Sequence, residues 1–137
     1  MKISNDELKC ISLFESLTGA PVDDCVIEPD HLIFLVKEGE MGRAIGKAGA
    51  NILRVRDAFG GKRVDVLENA ETPEAFVRKL YAGIEIRELK IVGNEDKQIE
   101  ITVPAKDRGA AIGRNGDRIK LGRMILERRF GVKLKLV

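Results

Sequence analysis

Ala44-Ile45-Gly46-Lys47-Ala48-Gly49 and Ala111-Ile112-Gly113-Arg114-Asn115-Gly116 are two copies of one pattern, 67 positions apart. Each places a cation between two glycines three apart. An isoleucine precedes the first glycine, and another, Ile52 or Ile119, follows the second by three. Two glycines flanking two other residues make a sharp corner with little bulk, because glycine tolerates positive φ and lets another backbone come close. The segments after the corners, 50–58 and 117–129, read as helices. A helix N-terminus offers unpaired N–H groups and partial positive charge, which suits a phosphate. Lys47 and Arg114 add a full charge at the same spot, so each corner can grip a polyanionic backbone without reading its sequence.

A tight helix–helix turn with an exposed cation is the plain alternative for one such corner. A turn needs only a compatible conformation, yet both copies carry the cation, the flanking isoleucines and the same upstream strand. A nucleotide-binding loop is excluded by spacing. Walker A needs four residues between its first glycine and the Gly-Lys pair; that first position is Met41, Gly42 leaves only three, and the second copy has Gly113-Arg114. Further cations gather at both corners: Arg43, Arg54 and Arg56 at the first, and Lys106, Arg108, Arg118, Lys120 and Arg123 at the second.

The chain's 137 residues suit one ordinary domain or two small ones, and the pattern divides them as 1–68 and 69–137. The net charge of +2 hides an asymmetry. Residues 1–68 carry 9 basic and 12 acidic side chains, residues 69–137 carry 15 and 10, so the halves stand at −3 and +5. The second half is the expected electrostatic anchor for a polyanion. The longest apolar run, Leu32 to Val36, is far too short to span a membrane. Met1 to Asp6 has no signal-peptide pattern, so a cytoplasmic location is expected. Cys10 and Cys25 are too few for a zinc site and read as small buried side chains, with a disulfide open to them if their faces meet. His31 has no Cys or His neighbour and reads as a solvated turn residue; Asp23-Asp24 and Glu95-Asp96 read as solvated charge. No nucleophile–base pair is visible, so neither an enzyme nor a cofactor is expected. With five Phe, one Tyr and no Trp, stacking platforms for bases are not supported either.

The elements that must hold the corners also repeat. Ser4 to Glu7 is a capping box, followed by Cys10, Leu13, Phe14 and Leu17 at the spacing of one helical face; Gly19 and Pro21 stop that helix. Residues 22–28 and 32–36 read as strands joined by the turn Glu28-Pro29-Asp30-His31. The second of them is continuously apolar, as in a buried central strand. A short helix over 40–45 leads to the first corner. The helix after it turns Ile52, Val55 and Phe59 inward and ends at Gly60-Gly61, and 63–67 is a strand with Val64 and Val66 on one face. In the second half Thr72 caps a helix that has Pro73 at its first position and Phe76, Val77, Leu80, Tyr81 and Ile84 on its apolar face. Strands over 88–92 and 98–103 flank the turn Gly93-Asn94-Glu95-Asp96. A short helix over 106–112, the second corner, the long helix and a strand over 132–137 complete the chain. Both halves read α-β-β-α-α-β, with a crossover long enough to make its two strands parallel.

Ile45-Gly46-Lys47-Ala48-Gly49-Ala50-Asn51-Ile52 and Ile112-Gly113-Arg114-Asn115-Gly116-Asp117-Arg118-Ile119 resemble the I-G-x-x-G-x-x-I signature of K-homology (KH) domains, and the element order resembles their type II form. Two such units in a chain this short are similar to the archaeal NusA-like transcription termination and antitermination factors, over essentially the whole chain. The resemblance implies an α+β fold of two tandem type II KH domains, each a three-stranded mixed sheet packed against helices. It implies binding of single-stranded RNA, each GxxG corner clamping about four nucleotides. It also implies action in termination or antitermination beside RNA polymerase, as a monomer; a KH-type ribosomal or RNA-maturation component is the alternative. Carried onto this chain, the RNA-binding residues are Ile45, Gly46, Lys47, Ala48, Gly49 and Ile52 with Arg43 and Arg54, then Ile112, Gly113, Arg114, Asn115, Gly116 and Ile119 with Arg118 and Lys120. Bases would lie in an apolar groove, formed by Ile45, Ile52, Val64 and Val66 in the first unit and by Ile112, Ile119, Leu134 and Leu136 in the second. Ala48, in the acidic half, departs from the second copy and points to a weaker grip at the first corner.

Overall fold

The Ser4 hydroxyl accepts the Glu7 amide at 3.1 Å and opens α1 (Asn5–Thr18), a cap worth about 1 kcal/mol over alanine. Gly19, at φ 75°, closes the helix by donating its amide to the Glu15 carbonyl. The computed structural model describes residues 4–137, so the reading of Met1 to Asp6 falls partly outside the described residues. The buried face of α1 is Ile11, Phe14 and Thr18. This corrects the expected stripe: Leu13 is exposed, Cys10 and Leu17 are only half-buried, and the helix is rotated so that Phe14 stacks on Phe34 with ring centroids 4.3 Å apart.

Three strands follow in the order β1-β2-β3. β1 (Val22–Glu28) and β2 (His31–Val36) form an antiparallel hairpin in which Glu28 faces His31, and β3 (Arg63–Glu68) pairs parallel to β2, with Leu32 beside Val64 and Phe34 beside Val66. The central strand is the most apolar because it has a neighbour on each edge. Leu32, Phe34 and Val36 pack with Ile11, Phe14, Cys25 and Val64, with Ala44 of α2 (Met41–Ile45) and with Val55 of α3 (Ala50–Ala58). Asn69 ties off the strand end: its amide donates to the Val36 carbonyl and its Nδ2 to Asp23 at 2.7 Å. Asn69 and Ala70 are therefore packed with the residues before them, and the chain divides into two compact units that meet between Ala70 and Glu71. The acids at 23–24 are not simply solvated: Asp24 is fully buried and its Oδ1 accepts the Cys25 amide.

The second unit repeats the plan. Thr72 accepts the Ala75 amide and starts α4 (Pro73–Leu80), whose Phe76 and Val77 are buried. Tyr81 is buried just past the helix end, and Ile84 lies beyond the helix. β4 (Glu88–Val92) and β5 (Gln98–Thr102) are antiparallel, and β6 (Lys133–Leu136) is parallel to β5, with Ile99 beside Leu134 and Ile101 beside Leu136. The short helix differs from expectation, beginning as a 3₁₀ turn at Ala105–Asp107 before α5 (Arg108–Ile112). The long helix α6 (Asp117–Phe130) is closed by Gly131 at φ 67°. Ile99, Ile101, Ile125 and Leu126 fill the core, and Gly122 lets Leu80 and Leu134 close over α6: a Cβ there would stand 2.3 Å from Leu80 Cδ2. Each unit is thus a three-stranded mixed sheet packed against helices.

Phe34 is fully buried between Phe14 and Phe59. Phe34→Ala is expected to cost about 3–5 kcal/mol through lost transfer energy and a residual cavity. Urea unfolding followed by the far-UV signal measures it, and a loss under about 1 kcal/mol would mean the strand is not the centre of the core.

Candidate nucleic-acid interface

The two corners have the same backbone. Gly46 and Gly113 lie at φ 77° ψ 171° and φ 82° ψ 172°. Ala48 and Asn115 lie at φ 54° ψ 29° and φ 57° ψ 24°, and Gly49 and Gly116 at φ 76° ψ 14° and φ 74° ψ 13°. The first position is in a region that essentially only glycine occupies. The third is left-handed, which costs an ordinary L-residue about 1–2 kcal/mol but suits asparagine, whose short polar side chain bonds locally. Sterics add to the demand for glycine. A Cβ on Gly46 would stand 2.7 Å from Asn51 Cγ, and one on Gly113 2.6 Å from Arg118 Cβ and 2.7 Å from its backbone nitrogen.

Position 51 or 118 is the structural element that sequence reasoning missed. Asn51 Nδ2 donates to the Arg43 carbonyl at 2.8 Å, and Arg118 Nη1 donates to the equivalent Ala110 carbonyl at 3.3 Å. Both side chains lie over the first glycine and pin the corner to the short helix before it. Arg118 does more. Its Nε and Nη2 donate to the Leu80 carbonyl at 3.1 and 2.9 Å, Nη2 reaches the Ala82 carbonyl, and its guanidinium stands 5.2 Å from the Tyr81 ring centroid. Arg118, expected at the RNA surface, is a cap on the C-terminal end of α4. Burial pushes the Tyr81 phenol above its usual range, with Arg118 and Arg123 pulling the other way.

The other candidate cations are distributed unevenly. Lys47 and Arg114 are exposed at the tips, as are Ala48 and Asn115. Arg43 pairs with Glu40 and donates to the Gly19 carbonyl at 3.3 Å; Arg54 donates to Asn51 Oδ1 at 3.2 Å; Lys120 Nζ reaches the Asn115 carbonyl at 3.4 Å. All three remain exposed. The expectation that the first helical amides lie open needs correction. Gly49 and Ala50 donate to the Gly46 and Lys47 carbonyls, and Gly116 and Asp117 to those of Gly113 and Arg114, because the left-handed residues curl the chain into a 3₁₀ turn. Among the described residues, the amides of Lys47, Ala48, Arg114 and Asn115 form no such bond. The donors that each corner leaves open are thus the two tip amides and the cation.

Beside the first corner, Ile45, Ile52, Val64 and Val66 come together with Arg56 and Asp65 around an open groove of about 270 Å³. In the second unit the groove of about 370 Å³ lies farther along α6 and β6, lined by Gln98, Arg123, Glu127, Lys133, Leu134 and Lys135. Of the expected apolar set it takes only Leu134; Ile119 is buried and Ile112 exposed. His31, expected as a solvated turn residue, instead begins β2 and sits between Glu28 and Asp65, which also pairs with Arg63 at 3.0 Å. Among the described residues no group of His, Cys, Asp and Glu could hold a metal ion, and no helix is long and apolar enough to cross a membrane.

These geometries separate the roles of neighbouring residues. Ala48→Asn is expected to stabilise the first unit by about 1 kcal/mol and Asn115→Ala to destabilise the second by a similar amount, because both act on left-handed strain. Thermal midpoints moving about 4–8 °C in opposite directions would register this, and parallel shifts would contradict it. Arg118→Ala is expected to cost about 2–3 kcal/mol by orphaning carbonyls at the end of α4, while leaving RNA affinity within about twofold. Arg114→Ala should do the reverse; equal effects on stability and binding in both variants would merge the two roles.

The KH-domain family profile matches residues 10–72, and the profile of the NusA-like second KH domain matches 73–135. The chain is 38% identical to a protein of Halococcus morrhuae over 95% of its own length and 93% of the relative's. It is 37% identical to one of Methanococcus vannielii over 97% and 77%. Both bear the name "Probable transcription termination protein NusA". The crystal structure of APE1850 superposes with a TM-score of 0.87 at 39% identity, covering 98% of this chain and 100% of that one. With one KH profile on each unit and relatives this similar along the whole length, the chain belongs to the archaeal NusA-like family of tandem KH-domain proteins.

Proposed function

We propose that this protein binds single-stranded RNA through its two GxxG corners and acts in transcription termination or antitermination, without catalysing a reaction. The observation that carries the reading is the duplicated corner: two exposed tips with matching dihedrals, each pairing two backbone amides with a cation. A ribose–phosphate backbone is the ligand such a corner fits, because the amides and the charge satisfy phosphate oxygens whatever the base. The relatives' name supplies the process, and RNA polymerase is the partner that the process implies. The cytoplasm is the compartment in which both would be met.

The grip is asymmetric. The second corner sits in a half with a net charge of +5, the first in a half at −3. At Asn115 the left-handed residue is one that tolerates the conformation, at Ala48 it is not. The second corner is therefore the stronger clamp.

Replacing Lys47-Ala48 and Arg114-Asn115 together by Asp-Asp is expected to abolish binding of a single-stranded oligonucleotide while the circular dichroism spectrum and melting midpoint persist. Aspartate also tolerates the left-handed position, so the fold should accept it. Changing only the second corner should cost more than changing only the first. Each lost phosphate contact should lower the slope of log affinity against log salt by about 0.7. Unchanged affinity in the double-corner variant would refute the clamp, and co-purification of the chain with ribosomes rather than polymerase would move it to another process.

A further inference from the structure

Cys10 and Cys25 play no part in the RNA surface. Cys10 is half-buried on α1 and Cys25 fully buried on β1, neither of them in a disulfide. The helix packs on the strand, and Cys10 packs against the same Phe14 and Phe34 cluster that holds Cys25. We propose that Cys10 and Cys25 form an oxidisable dithiol that closes into a disulfide joining α1 to β1.

The chemistry balances with a hydroperoxide as the oxidant. Cys10 is the thiol that meets solvent. Its thiolate attacks the O–O bond, becomes a sulfenic acid and releases an alcohol, or water when the oxidant is hydrogen peroxide. Cys25 then gives up its proton and attacks the Cys10 sulfur; the S–O bond breaks and water leaves. Two thiols and one hydroperoxide thus yield one disulfide, one water and one alcohol. Burial and the Asp6 carboxylate raise the Cys10 thiol above its usual range, with Lys62 and the Cys25 hydrogen bond pulling it back. The first step therefore quickens as pH rises and more thiolate forms. Closing a loop of about 15 residues restricts the unfolded chain, so oxidation should stabilise the first unit.

The test uses the full chain in native buffer, treated with hydrogen peroxide and then with a thiol-blocking maleimide. Expected are an intact mass lower by two hydrogens with no maleimide added, a linked Cys10–Cys25 peptide after digestion, and a melting midpoint higher by about 10 °C that dithiothreitol reverses. In Cys25→Ser, dimedone should trap a sulfenic acid at Cys10. A mass gain of oxygen without a linked peptide, a link between two chains, or two maleimide adducts after a treatment that oxidises the urea-unfolded chain would each overturn the proposal. RNA binding does not enter this readout, so it stands or fails apart from the corners.

Discussion

One steric condition governs both corners: Gly46 and Gly113 cannot carry a Cβ. Their backbone lies where only glycine is at ease, and the side chain or backbone of Asn51 or Arg118 fills the space that a Cβ would need. Once that residue is set, the chain must curl through the left-handed pair that follows, and the curl closes a 3₁₀ turn. The turn takes up the Gly49, Ala50, Gly116 and Asp117 amides and leaves the donors at the tip. Lys47 and Arg114 stand exposed there, at a tip that joins the ends of two helices. The sheet and core matter to the site chiefly because they hold the two helices whose ends the corner joins.

The units differ where the shared geometry leaves room. The first groove has an aliphatic lining of Ile45, Ile52, Val64 and Val66, with Arg56 and Asp65 at its border. The second is bordered by Arg123, Lys133 and Lys135 with Glu127 and Gln98. By strand register, Asp65 beside Ile33 corresponds to Lys135 beside Glu100, so one structural position carries opposite charge in the two copies. The charge asymmetry between the halves therefore extends to the edge strands and is not confined to the tips.

Much of this was legible from local rules. Ser4, Thr72 and Pro73 announced helix starts, Gly19 and Gly60 announced ends, and α3 and β4 have the bounds that periodicity assigned to them. The continuous apolar run 32–36 identified the central strand because burial on both faces erases alternation. What stayed hidden depended on distant partners. Arg118 looks like every other arginine near a basic loop, and only the fold brings the Leu80 carbonyl, 38 positions away, to its guanidinium. His31 looks like a turn residue and Asp24 like solvated charge until parallel pairing delivers Asp65 and the sheet buries Asp24. The rotation of α1 escaped for a related reason: Leu13 and Ile11 are equally apolar, and the choice between them is made by Phe14 meeting Phe34. Periodicity locates a face only to within one such step.

The cap formed by Arg118 also sets how much chain the second corner needs. Asn51 ties the first corner to a residue eight positions upstream, within its own helical pair. Arg118 reaches back to Leu80 and Ala82, ahead of β4 and the whole sheet. A fragment beginning after Ala82 would keep every residue of the signature and all three strands, yet it would lose the α4 terminus against which the loop is braced. The stable second unit is therefore longer than its motif and includes the helix preceding the sheet.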